Sequence, residues 1–275
     1  LVPRQLLAES IHPSERVFFS TCNTPAVSMS AIPYPPDSVI YAGTWGFLDK
    51  MWHFILFSIP PGPPCIAMRH VINFHKALML PVFLYFMASA ASGGGIWDCD
   101  PYWQLAYMHG FYGVAWIIKD YAFGDKSWLE PVTVVSGLST FMTLMVNHGA
   151  GSIIGGMNLV NHGCMPIGCT QRTIAMFVYL LGLLLMLCAD VQKNVTLGFS
   201  KKAPTTKGLI KDGLYTFMRN PNYLGEMMIY FSYALAIGFD YDFWYLPWVA
   251  AAAVCSLLIP RMVTKDRRMS RYPDF

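Results

Sequence analysis

The chain has 275 residues, 55% of them hydrophobic and 13% charged, with a mean hydropathy of +0.40 and a formal net charge of +3. An ordinary soluble domain carries about 25% charged residues. The composition excludes such a domain and gives no sign of a nucleic-acid partner; it predicts an all-α polytopic membrane protein whose first partners are membrane lipids.

The first 50 residues read as a polar, Pro-rich N-terminal arm, with Arg4, Arg16 and Lys50 its only basic groups. No initiator Met and no secretory signal open it. That pattern predicts either a partial sequence or, equally, a processed chain whose transit peptide is gone. It points to an organelle inner membrane (mitochondrion or plastid), with the endoplasmic reticulum as the other choice. Residues 51–70 form an interfacial segment. The apolar piece Met51–Ile59 is too short to span a bilayer, and Pro60, Pro61, Pro63 and Pro64 follow it.

Six apolar runs are predicted to span: 71–92, 102–118, 132–156, 173–189, 223–239 and 243–262. His75-Lys76, near the start of the first, reads as interfacial. In the second, His109, Tyr112 and Trp116 recur at helical spacing and share a face. Two readings of that face stand. In one the aromatics pack, His109 bonds a backbone carbonyl and Lys119 snorkels; in the other the face looks into a substrate cavity. The third run carries Asn147 and His148 within Val-Asn-His-Gly-Ala-Gly, where small residues allow close helix approach.

The basic residues set the orientation. Residues 61–70, 119–131, 190–222 and 261–275 hold Arg69, Lys119, Lys126, Lys193, Lys201, Lys202, Lys207, Lys211, Arg219, Arg261, Lys265, Arg267, Arg268 and Arg271. The opposite loops hold only Arg172, together with Asp98, Asp100, Asp240 and Asp242. This asymmetry predicts six spans with both termini on the positive side. The seven cysteines show no paired framework, and His162-Gly-Cys164 followed by Cys169 lacks the spacing of a metal site, so no metal is expected.

The densest chemistry lies between Gly213 and Glu226. Arg219, Asn220, Asn222 and Glu226 stand at the membrane surface just before an apolar run. Ionisable groups at such depth are costly and mark functional sites. Pro221 at a helix start leaves free N–H groups that favour an anion such as a phosphate. The basic loop 190–222 and the tail 261–275 flank the same side. Neither Gly-x-Gly-x-x-Gly nor Gly-x-x-x-x-Gly-Lys-Ser/Thr occurs, so a nucleotide would not be held in a Rossmann or P-loop manner.

These residues resemble the C-terminal region of the steroid 5-alpha-reductase and sterol-reductase superfamily. The resemblance rests on Asp190-x-Gln192, Gly213-Leu-Tyr215, Arg219-Asn220-Pro221-Asn222-Tyr223-Leu-Gly225-Glu226, and Lys265-Asp266 followed by Tyr272-Pro273. His109-Gly-x-Tyr-Gly…Trp116-x-x-Lys119-Asp120 is similar too, and the whole covers about a third of the chain. It implies a transmembrane reductase-like domain over 71–275 whose cofactor region is 190–275. It further implies NADPH held by Asp190, Gln192, Lys207, Arg219, Asn220, Asn222, Tyr223, Gly225, Glu226, Lys265, Arg268 and Tyr272. The expected reaction is reduction of a conjugated double bond in a lipid or steroid-like substrate, with Tyr112, helped by His109, donating to the carbonyl oxygen. Isoprenylcysteine carboxyl methyltransferases share a similar helix pair, so S-adenosylmethionine is the alternative cofactor. Asn220 stands where many relatives carry His. A third reading is an accessory, non-catalytic subunit of a larger organelle membrane complex, in which Arg219, Asn222 and Glu226 satisfy one another.

Overall fold

A computed structural model of the chain describes residues 36–91, 99–124, 126–147, 149–164, 167–200, 209–240 and 242–270, all within the unit Pro33–Phe275. These residues form helices α1 (Asp37–Ile40), α2 (Gly43–His53), α3 (Met68–Ala91), α4 (Asp100–Phe123), α5 (Val134–Asn147), α6 (Ala150–His162), α7 (Cys169–Ser200), α8 (Pro221–Ile237) and α9 (Leu246–Met269). Strands β1 (Ile66–Ala67) and β2 (Pro131–Val132) pair antiparallel and are the strands present among the described residues.

Helix boundaries follow proline and glycine chemistry. Pro101, Pro221 and Pro247 sit in the first turns of α4, α8 and α9, where a missing N–H costs no hydrogen bond. Gly163 and Gly238 end α6 and α8 at φ 76° and 85°, a region open to glycine.

Three helices, α3, α7 and α9, are long and apolar enough to cross a bilayer. Side-chain bonds sort the remaining passes between two ends. At one end β1 pairs with β2, Arg69 bonds Asp120, Lys119 bonds Asp190 and Arg219 pairs with Asp266. At the other end Gln104 bonds Arg172, Gln171 bonds the Leu235 carbonyl, and Asn158 and His162 bond Asp242. Hence α3, α4, the α5–α6 pair, α7, α8 and α9 alternate in direction, and the positive end of the sequence is one physical end of the bundle. Large apolar side chains such as Phe74, Tyr107, Phe111, Ile118, Leu138 and Phe177 stay exposed around the helices. A bundle facing lipid presents such a surface.

Five expectations change. The 132–156 run is not one helix but two: α5 ends at Asn147 and α6 starts at Ala150. The Asn-His-Gly string has weak helix propensity, and the Gly149 N–H reaches back five residues to the Leu144 carbonyl at 3.3 Å. The cysteines do contain a pair: Cys99 and Cys164 form a disulfide with Cα atoms 5.4 Å apart. Their 65-residue separation hid a contact that exists only because α4 starts where α6 ends. His75 and Lys76 are not interfacial; both are buried, at 0% and 4% exposure. Two turns of α3 precede them, and the η-type turn Phe54–Ser58 packs against α5 nearby. Finally, the arm is helical where described: α1 and α2 pack on α9 through Thr264–Asp49 (2.6 Å) and Arg267 to the Ile40 and Ala42 carbonyls. The basic loop also starts later than expected, since α7 continues to Ser200.

The tightest helix pair is α7 with α8, made possible by two glycines. A Cβ on Gly225 would fall against the Gly182 carbonyl and 2.6 Å from the Met186 nitrogen, and one on Gly182 would lie 2.7 Å from the Gly225 carbonyl. We expect Gly225→Val to lower stability by about 1–3 kcal/mol through overpacking, read as a lower melting temperature in detergent; an unchanged value would reject the close approach.

Topology is open to the chain's own exposed thiols, Cys65 at the basic end and Cys169 at the other. In sealed vesicles an impermeant maleimide should label a variant retaining Cys65 and one retaining Cys169 from opposite sides, with Cys99 and Cys164 left in their disulfide. Labelling of both from one side would overturn the orientation.

Candidate functional site

At the basic end, α3, α4, α5, α7, α8, α9 and the α2 region enclose a cavity of about 670 Å³. Ligand pockets commonly measure about 300–1,000 Å³. Its outer part carries Lys50, Lys193, Lys265 and Arg268 with Asp49 and Tyr41. Further in lie Asp190, Asn222, Tyr223, Glu226, Lys119 and Arg261, and deeper still Lys76, Tyr230, Met186 and Asn147. The order follows from the helices: α3 enters the bundle from Met68 toward Lys76, α8 from Asn222 toward Tyr230, and α9 leaves it from Val254 toward Arg268. Apolar walls come from Leu56, Ile72, Leu144, Val254, Leu257 and Leu258.

Asp190 organises the inner polar wall. One carboxylate oxygen accepts from Lys119 Nζ at 2.7 Å and the other from Asn222 Nδ2 at 3.1 Å. Lys119 Nζ also lies 3.9 Å from the Trp116 ring centroid. Asn222 is buried at 8% exposure, and its Oδ1 has no hydrogen-bond partner among the described residues. A buried acceptor left in this state costs about 1–3 kcal/mol, and Asn222 is one of the residues that line the cavity. The Lys265 ammonium lies 5.1 Å from the Tyr223 ring, and the charges acting on Glu226 are Lys76, Lys119, Asp190 and Arg261.

The residues singled out in sequence divide into groups. Asp190, Asn222, Tyr223, Glu226, Lys265 and Arg268 line the cavity together. Gln192 serves the adjacent chain turn instead: it donates to the Asp212 carbonyl (2.7 Å) and accepts from the Leu214 N–H (3.1 Å), holding Gly213–Thr216 against α7. Gly225 is the close-approach point of α7 and α8. Arg219 and Asn220 both meet Asp266, at 3.6 and 3.2 Å, which ties the start of α8 to α9. Arg219 pairs with Asp266 and Asn222 with Asp190. Lys207 and Tyr272 lie outside the described residues.

His109 and Tyr112 are fully buried and are not among the residues lining the cavity. His109 Nδ1 bonds the Leu105 carbonyl at 3.1 Å, and its ring stacks on Tyr233 at 3.6 Å. The Tyr112 ring packs against Trp116 and lies 4.0 Å from Lys76 Nζ. The α4 residues that reach the cavity are one turn further on, Trp116 and Lys119. Sequence reasoning missed Lys76, Tyr230, Lys193, Arg261 and Asp49 as lining groups. Only Lys76 carried a signal: a lysine eight residues into an apolar run has no membrane-interface position to occupy if the run starts at 68.

Among the described residues no cluster of three or more metal-ligating side chains forms. Residues 157–270 match the sequence profile of a family described as Protein of unknown function (DUF1295), which belongs to the steroid 5-alpha-reductase-like group. No solved structure matches the chain.

Proposed function

We propose that the cavity binds NADPH and that the protein is a membrane-embedded, NADPH-dependent reductase of a carbon–carbon double bond conjugated to a carbonyl in a lipid or steroid-like substrate. The observation that carries this reading is the Asn222 acceptor. It is buried, its Oδ1 has no partner among the described residues, and its residue lines a cavity that also carries Lys193, Lys265 and Arg268 together with apolar walls.

The residues fit such a cofactor. Lys193, Lys265 and Arg268 supply positive charge at the mouth for phosphate groups, which planar guanidinium and ammonium donors bind well. Asn222 offers an acceptor to an amide or hydroxyl donor, with its orientation fixed by Asp190. Tyr223 and Trp116 offer ring faces to a flat heterocycle. A reduced nicotinamide supplies the hydride, and its chemistry belongs to the cofactor. The chain's own part is to bind, to orient and to exclude water. The apolar walls at Leu144, Val254 and Leu257 admit a lipid and keep competing water out of the depth. The similarity of residues 157–270 to a reductase-like group supports the same reading.

An accessory, non-catalytic role and an S-adenosylmethionine-dependent methyl transfer draw less support. An inert motif would have its polar groups satisfied internally, whereas Asn222 keeps an open acceptor. S-adenosylmethionine brings one carboxylate and no phosphate, so it matches fewer of the cations Lys193, Lys265 and Arg268 at the mouth. Membership of a larger organelle complex is compatible with either activity.

Calorimetry on the purified protein in mild detergent tests the reading. NADPH should bind and S-adenosylmethionine should not. Lys265→Ala with Arg268→Ala should weaken NADPH about 10- to 100-fold, as loss of charged hydrogen bonds does, and should shift NADH much less if one of the two meets the extra phosphate. Binding of S-adenosylmethionine alone would replace the reductase reading with a methyltransferase one.

A further inference from the structure

Lys76 is a charge that the bundle has no structural need to bury. It stands eight residues into α3, about 12 Å along the helix from Met68 at the basic end. It is 4% exposed and lines the cavity depth. Its ammonium rests over two aromatic rings, 4.0 Å from the Tyr112 centroid and 5.4 Å from that of Trp116. Cation–π contact is worth about 2 kcal/mol when desolvated, well short of the several kcal/mol that taking an ion out of water costs. Glu226 is the carboxylate whose charge acts on it, yet no carboxylate forms an ion pair with it within 4 Å among the described residues; Lys119, the neighbouring cation, holds the Asp190 carboxylate. Intramembrane charges of this kind are retained for function.

A second feature marks the same depth. Helix α5 ends at Asn147, which lines the cavity with Leu144, and α6 starts at Ala150. Broken helices at membrane depth occur where backbone is buried in protein or lines a cavity. The cavity therefore ends in a polar pocket walled by Lys76, Asn147 and Tyr230, under an apolar section.

We propose that Lys76 is the anchor for the electron-rich oxygen of the substrate, the carbonyl conjugated to the double bond that is reduced. This rests on the reductase reading. When a hydride from a reduced nicotinamide reaches the β-carbon, a new C–H bond forms there and the carbon–carbon π pair moves toward the carbonyl. Negative charge then collects on the oxygen as an enolate. Lys76 holds that charge in a dry site, where a preplaced cation acts strongly. Uptake of one proton at the α-carbon gives the saturated carbonyl and leaves an oxidised nicotinamide, so atoms and electrons balance. The same interaction in the ground state selects carbonyl lipids over hydrocarbons.

The test uses the full chain in lipid nanodiscs, with and without NADP⁺, and two probes of equal length: trans-3-octadecen-2-one and trans-3-octadecene. Wild type is expected to bind the enone about 10- to 100-fold more tightly than the alkene, the worth of one charged hydrogen bond. Lys76→Met should bring that ratio near one while leaving alkene and NADPH affinities in place, and Lys76→Arg should keep most of the preference. Retained NADPH affinity shows that the Met variant is folded, and Lys76→Gln replaces it if that affinity is lost. An equal enone preference in wild type and variant overturns the proposal, as does a wild type with no preference or no enone binding. A wild type that prefers the enone through Lys76 yet binds no NADPH would remove the reductase reading and leave the anchor.

Discussion

The arrangement depends on one carboxylate. Asp190, on α7, takes a proton-donating contact from Lys119 on α4 with one oxygen and from Asn222 on α8 with the other. Three helices from distant parts of the chain are fixed around it at the cavity wall. Removing such a carboxylate would leave Lys119 uncompensated among apolar side chains, a change that costs about 3–5 kcal/mol in buried pairs. The neighbouring pair of Arg69 and Asp120, extended by Asn73, plays the equivalent role between α3 and α4. The polar wall of the cavity is thus built from the bonds that hold the helices in place, so the site and the fold cannot vary independently. Asn222 shows the consequence: its amide nitrogen is used for structure and its oxygen is left for a ligand.

The all-α membrane bundle, its basic end and several residues of the inner wall were legible in the sequence, because each leaves a local trace. Apolar runs are continuous in sequence, lysines and arginines keep to one set of loops, and the 219–226 string is contiguous. What was not legible depended on contacts across the bundle. The Cys99–Cys164 bond requires α4 and α6 to meet, which no spacing encodes. The burial of Lys76 depends on where α3 begins, and the two-residue β1–β2 pairing that fixes this start is too short to read. The division of labour inside the motif was hidden as well. Arg219, Asn220 and Asn222 are adjacent, yet the first two face Asp266 on α9 and the third faces Asp190 on α7. A proline at the first turn of α8 rotates successive residues around the axis, and only the partner helices decide which of them reaches the cavity. The same holds on α4, where His109 and Tyr112 share a face with Trp116 but pack one turn deeper in protein.

Two independent features agree on which end of the molecule is which. Positive-inside charge bias assigns the Arg- and Lys-rich end to the untranslocated side. The disulfide lies at the opposite end, beside Arg172 and Asp242, and disulfides persist in oxidising compartments. The mouth of the cavity, with Lys193, Lys265 and Arg268, lies at the end opposite the disulfide, and the exposed aromatics Phe239, Phe243, Trp244 and Tyr245 stand at the disulfide end. In the proposed reaction the reductant would enter at this mouth, and the lipid would occupy the apolar walls. The polar and apolar reactants of the proposed reaction would then approach Lys76 and Glu226 from different phases. That separation gives a physical reason for placing such a site at the basic end of a membrane bundle instead of in a soluble domain.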